Sequence, residues 1–168
     1  MLPLAKSGDS LFPKLFAGQY GAEISSLSVK RPNVLHSSLW GGDLETFVLQ
    51  SSARGLNRQM KMILTTGETT MFRLGVKLPD GIIVGARGPY GVLARDSELN
   101  TWLRSSYQDR FNAPPTYPSY QMAQALLGLK YAFDNAAGGG AKPTSEQASA
   151  ALKGAKFEAF GKIGRAHV

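Results

Sequence analysis

The pattern of apolar and polar positions is sharpest between residues 31 and 66. Arg31 and Pro32 close one segment, and the short apolar run 33–39 reads as a buried strand. Trp40, Gly41 and Gly42 interrupt it. Leu44, Phe47 and Val48 then recur at i, i+3 and i+4, which predicts a helix with one apolar face. Asp43 stands where the N-cap of that helix belongs, and Glu45 lies in its first turn, where the macrodipole favours negative charge. Gly55 suits the left-handed residue that commonly ends a helix. Residues 56–59 make a short link, and the run 60–66 (MKMILTT) predicts a second strand. A strand, loop, helix and strand of this length form a right-handed parallel crossover. Such units bind ligands at the carboxyl ends of their strands. Those ends are the loops 40–43 and 65–68.

The flanking segments extend this unit. Residues 1–18 read as irregular, punctuated by Gly8, Pro13 and Gly18. Tyr20, Ile24 and Leu27 share a helical face within 19–30. Residues 69–74 allow at most two helical turns, Pro79-Asp80-Gly81 is a turn, and 82–86 predict a third strand. RGPYG, residues 87–91, reads as a loop. Beyond it the chain becomes helical. Ser97 caps a predicted helix reaching Phe111, with Leu99, Trp102, Leu103 and Tyr107 on one face. Pro114-Pro115 ends it. Pro118 opens a helix to about residue 137, with Met122, Leu126, Leu129, Phe133 and Ala136 on one face. AGGGAK, residues 137–142, is a flexible link. Thr144 and Gln147 form a capping box for a last helix, with Ala148, Ala151 and Leu152 facing in and Gly154 closing it. The fold class expected is α/β, a parallel sheet with helices on both sides, and a helix-rich C-terminal part.

Composition narrows the function classes. At 168 residues the chain has the length of one domain and can bury roughly two thirds of its unfolded surface. The net charge of +7 raises the question of nucleic acid, yet the 19 Lys and Arg are scattered and no recognition motif accompanies them. No nucleic-acid partner is expected. Without Cys there is neither a disulfide framework nor a thiolate site. No apolar run reaches membrane-spanning length, and MLPLAKSGDS lacks the apolar core of a signal peptide. Neither membrane insertion nor a leader is expected.

Few residues suggest chemistry. His36 lies in a predicted buried strand without an Asp or Cys at ligand spacing, which favours a hydrogen-bonded core histidine over a catalytic or metal role. Gly85, Gly88 and Gly91 recur at threes without opening a helix, which suits turn glycines better than a phosphate loop. Asp43 and Glu68 stand at adjacent strand ends and have the chemistry for acid/base work; Asp43 equally reads as a helix cap, and Glu68 as a cap or a solvated charge. Trp40, between a strand and Gly41-Gly42, can either wall a bound small molecule or pack over the following helix. No cofactor or metal site is visible in the motifs.

Taken in order, SSLWGGD, a helix ending in ARGL, ILTTGE, PDGIIVGARGPYG and PPTYPSYQMAQALLGLK resemble the C-terminal part of ABC-transporter substrate-binding proteins. The resemblance spans about residues 12–161 and is greatest to the branched-chain amino-acid (leucine/isoleucine/valine-binding) type, which has the type I periplasmic-binding fold. It implies a two-lobed receptor that closes over an amino acid or small amide and delivers it to a membrane permease outside the cytoplasm, without catalysis. Residues 12–91 would be second-lobe α/β structure, with RGPYG near the return hinge. Residues 92–161 would be the helical segment returning toward the first lobe. Carried over by position, the ligand contacts fall on Trp40 with Gly41 and Asp43, and on Glu68 with Thr66; the acid would pair with a ligand ammonium. A signalling receptor on the same fold is the alternative, and a small α/β enzyme using Asp43 and Glu68 a third reading. KIGRAHV at the C-terminus reads like translated sequencing adapter, so 162–168 are expected to be non-native and the chain a partial receptor. A receptor lacking its first lobe would bind weakly and expose apolar faces of its C-terminal helices.

Overall fold

Alternating burial along short strands and an apolar stripe on each neighbouring helix build the first of two units. In the computed structural model, residues 6, 8–86, 88, 90–91, 94–136 and 142–160 are described, with 164–165 as backbone only. The chain divides into two compact units, Met1–Arg87 and Gly88–Val168.

The first unit runs α1 (Gly21–Lys30), β1 (Val34–Ser37), α2 (Gly41–Ala53), α3 (Leu56–Gln59), β2 (Lys61–Leu64), α4 (Glu68–Leu74), a 3-10 turn at Gly75–Lys77, and β3 (Ile83–Val84). The sheet order is β1-β2-β3, with every pairing parallel. Val34 pairs with Lys61, Ser37 with Leu64, and Ile63 with Ile83. This is the α/β fold, a parallel sheet flanked by helices, that the periodicity called for. Residues 56–59, expected as a link, coil into one helical turn because Leu56 has a buried place in the core. Gly55 takes φ +71, ending α2 in the left-handed region as expected.

The core joins Tyr20, Ile24 and Leu27 of the first helical segment to Leu44, Phe47 and Val48 of α2 and to Met62 and Leu64 of β2. Tyr20 meets Phe47 edge to face at 5.8 Å. Truncating Leu64 to Ala in such a core costs about 2–5 kcal/mol. One expectation fails here. The opposite sheet face, carrying Val34, His36, Lys61 and Ile83, is exposed, with Ile83 at 56%, so helices do not cover both sides. His36 is therefore not a core histidine: it is hydrogen-bonded but exposed on an edge strand.

The second unit holds α5 (Glu98–Phe111), α6 (Tyr117–Asn135), α7 (Ser145–Leu152) and a two-residue antiparallel pairing of β4 (Lys156–Phe157) with β5 (Gly164–Arg165). Both expected caps form. Ser97 Oγ accepts from the Asn100 N–H at 3.2 Å, and Thr144 and Gln147 exchange both capping-box bonds. Ala94, Tyr120 and Phe160 make the core, with Leu99, Leu103, Ala123 and Leu127 against it. The Tyr120 hydroxyl donates to Asn100 Oδ1 at 2.7 Å, and Asn100 Nδ2 donates to the Gly91 carbonyl at 3.1 Å. Burial raises the Tyr120 hydroxyl above its ordinary value.

The helices of this unit leave apolar residues exposed. Trp102 is exposed, whereas Asn100 is buried on α5. On α6 the buried residues are Tyr120, Gly128 and Ala132, and the stripe Met122, Leu126, Leu129 and Phe133 is exposed. The helix is apolar on two sides, and Gly128 lies on the buried one, where a Cβ would come 3.1 Å from the Phe157 ring. Among the described residues, no helix is long and apolar enough to cross a membrane. Residues 87 and 89 of RGPYG, 137–141 of the glycine-rich link, and 162–163 and 166–168 of the tail lie outside the described residues.

Two outcomes follow from this packing. Burial pushes the Tyr20 hydroxyl up to about 12, with the nearby Asp43 carboxylate adding to the shift. The unfolded phenol ionises near 10, so Tyr20 leaves stability intact below pH 10 and erodes it as pH rises from 10 toward 12. Urea denaturation across that range should show the loss, and Tyr20→Phe should flatten it. The exposed α6 stripe predicts concentration-dependent self-association in light scattering, relieved by Leu126→Lys. A wild-type chain that stays monomeric at every concentration would contradict this.

Candidate functional site

All three strands of the first unit are parallel, so their carboxyl ends share one edge. The loops leaving β1 and β2 meet there. The Thr66 hydroxyl donates to the Leu39 carbonyl at 2.5 Å, tying the two loops directly. Leu39 N–H donates to Ser37 Oγ at 3.2 Å, and His36 Nε2 shares a hydrogen bond with Thr65 Oγ1 at 2.5 Å. Thr69 Oγ1 donates back to the Thr66 carbonyl, and Thr70 Oγ1 to that of Gly67, closing the first turn of α4 on itself. The Gly85 N–H donates to the Leu64 carbonyl at 2.8 Å, bringing the chain after β3 against the same edge.

Close approach is what the glycines here permit. A Cβ on Gly67 would stand 2.7 Å from Val84 Cγ1 and 3.1 Å from Leu64 Cβ. One on Gly85 would stand 2.9 Å from the Thr65 carbonyl oxygen. Only a chain without side chains at both positions packs these turns together.

The five residues expected to contact a ligand all fall at this edge, in different settings. Trp40 is the N-cap of α2, with extended backbone, and is 57% exposed. Gly41 opens α2 with φ +56, a conformation that a side chain would strain. Asp43 is not the N-cap: it is the third residue of the helix, and no side chain caps this terminus. Its Oδ2 instead accepts the Phe16 N–H at 3.0 Å, a partner 27 residues away. Thr66 is buried, with its hydroxyl proton committed to Leu39. Glu68 is the first residue of α4, where the helix dipole favours a carboxylate, and is only 4% exposed, so it is not a solvated loop charge. Behind this edge Glu45 of α2 pairs with Arg73 of α4 at 2.9 Å, joining the two helices that carry the loops.

The His36–Thr65 contact at this edge was not read from the pattern. Its signal is the strand register, which sets the end of β1 beside the end of β2. Chemically the edge offers an exposed indole, backbone groups at two helix starts, hydroxyls and carboxylates. Among the described residues, no cluster of three or more His, Cys, Asp or Glu could hold a metal ion.

Comparison with known proteins agrees with this fold. No protein-family model matches the chain, and no curated protein matches it by sequence. Solved structures that share its fold include two ABC-transporter proteins. The amino acid ABC transporter substrate-binding protein of Pseudomonas fluorescens Pf-5 superimposes with a TM-score of 0.67 at 20% identity over 88% of this chain. A solute-binding protein of an ABC transporter from R. palustris, in complex with benzoate, gives 0.68 at 15% identity over 86%. The chain spans 38% and 39% of the lengths of those two proteins.

Substitutions at the edge should separate packing from display. Gly67→Ala should destabilise the fold by about 1–3 kcal/mol through the clash with Val84 and Leu64. Thr66→Val, which keeps the shape but removes the donor to Leu39, should cost about 1 kcal/mol. Trp40→Ala, at an exposed position, should cost under about 0.5 kcal/mol. Denaturant midpoints of the three variants check this ranking.

Proposed function

We propose that this chain is the second-lobe portion, with part of the return toward the first lobe, of a solute-binding component of an ABC transporter. What supports the reading is the strand-end edge, where the Thr66–Leu39 bond ties the loop before Trp40, Gly41 and Asp43 to the loop before Glu68, in a fold shared with two such proteins. The ligand class is a branched-chain amino acid or a related small amide. Trp40 would cover its apolar part, Gly41 and Thr66 would line the floor, and Asp43 and Glu68 would supply the negative potential that an ammonium group seeks. The role is binding without catalysis. The complete receptor would work outside the cytoplasm and hand its solute to a membrane permease. An amino-acid-binding neighbour favours this ligand class, while the benzoate complex shows how widely ligands vary on the fold.

A ligand-sensing receptor or regulator is the second reading, because the same edge would serve it equally well. An enzyme using Asp43 and Glu68 is disfavoured by their settings: Asp43 is engaged with the Phe16 amide and Glu68 is buried at a helix start.

Calorimetric titration against leucine, valine, acetamide, urea and benzoate tests the proposal. Binding of one solute class is expected, weakened at least about tenfold by Trp40→Ala or Glu68→Gln. Absence of binding across the panel, or binding indifferent to both changes, would overturn it.

A further inference from the structure

The segment before α1 is strapped along α2 by side chains spaced on one helix face. Asp43 Oδ2 accepts the Phe16 N–H at 3.0 Å, Gln50 Oε1 accepts the Tyr20 N–H at 2.8 Å, and Gln50 Nε2 donates to the Gly18 carbonyl at 3.0 Å. Arg54 Nη1 donates to the Gly21 carbonyl at 3.1 Å, and the Tyr20 ring is buried against Phe47. The purpose of this fastening is not to bury the strap's apolar tip. Phe12, Leu15 and Phe16 are all exposed, Phe16 at 82%.

Phe16 is also held with φ +57, in the left-handed region that a bulky side chain enters only under constraint. An exposed phenylalanine contributes nothing to the core to offset that strain. Its backbone is fixed to the third residue of α2, one turn from Trp40 at the N-cap. The Phe16 backbone is thereby fastened beside the first turn of α2, the turn that Trp40 precedes. Two exposed aromatic residues are thus anchored at the one edge where the strand ends converge.

We propose that Phe16 is a second aromatic wall of this edge, acting with Trp40 to select solutes with an apolar or aromatic body. The proposal rests on the solute-binding reading and adds a selectivity determinant to it. Asp43 then serves as the positioning residue that holds the Phe16 backbone in place.

The test titrates the full chain, as wild type, Phe16→Ala and Phe16→Gly, with phenylalanine, leucine and acetamide. Both variants should lose roughly tenfold in affinity for phenylalanine and leucine and stay within about twofold for acetamide. Phe16→Gly should unfold at a higher temperature than Phe16→Ala, because glycine relieves the positive φ, so equal binding losses in the two assign the effect to the ring. Unchanged affinity for the apolar solutes would overturn the assignment while leaving the edge as a solute site. An equal loss for all three solutes would also overturn it, since an apolar wall discriminates. If the wild type binds none of them, the solute-binding reading fails and this proposal with it.

Discussion

The parallel pairing of β1 with β2 is the constraint on which the rest of the first unit depends. In that register Ser37 lies beside Leu64, so both strands stop at the same level and their loops emerge side by side. Parallel strands cannot be joined by a tight turn, so α2 must carry the chain back across the sheet. Its start therefore opens at the same edge, carrying Trp40 and Asp43. The Thr66 hydroxyl then has the Leu39 carbonyl within reach, and Gly67 and Gly85 let the third strand's exit close up behind it. The shape of this edge is a consequence of topology before it is a matter of individual side chains.

The same helix mediates two demands that pull in different directions. Leu44, Phe47 and Val48 sink into the core, while Asp43, Gln50 and Arg54 reach back to hold residues 16–21. Those polar bonds are each worth only about 1 kcal/mol, yet together with the buried Tyr20 ring they over-determine the strap. This is how Phe16 keeps a strained backbone in the open. The exposed sheet face around Ile83 has no such explanation within the first unit, because parallel sheets are ordinarily covered on both sides.

Features governed by neighbours in sequence were legible. Ser97 and Thr144 cap their helices because the bonds involved span three residues, and the i, i+3, i+4 repeat of Leu44, Phe47 and Val48 marks the buried face of α2 directly. Features governed by distant partners were not. Asp43 looks like an N-cap by position, but its oxygen is claimed by the Phe16 amide. His36 looks buried because apolar residues surround it in sequence, and nothing local reveals that β1 is an edge strand. On α6 both faces are apolar, and the contact of Gly128 with Phe157 on the buried one joins residues 29 positions apart in the numbering. The edge where the strand ends converge was legible, since the crossover unit implies it, whereas the burial of Glu68 and the exposure of Phe16 were not.

A backbone amide NMR titration of the isotope-labelled chain with leucine tests the strand-end site most directly. Shift changes are expected to concentrate in residues 38–43 and 65–68, with Phe16 among them, and to spare the α5 face around Trp102. Changes confined to residues 96–105, or none up to about 10 mM leucine, would contradict the placement of a solute site at the end of β1 and β2.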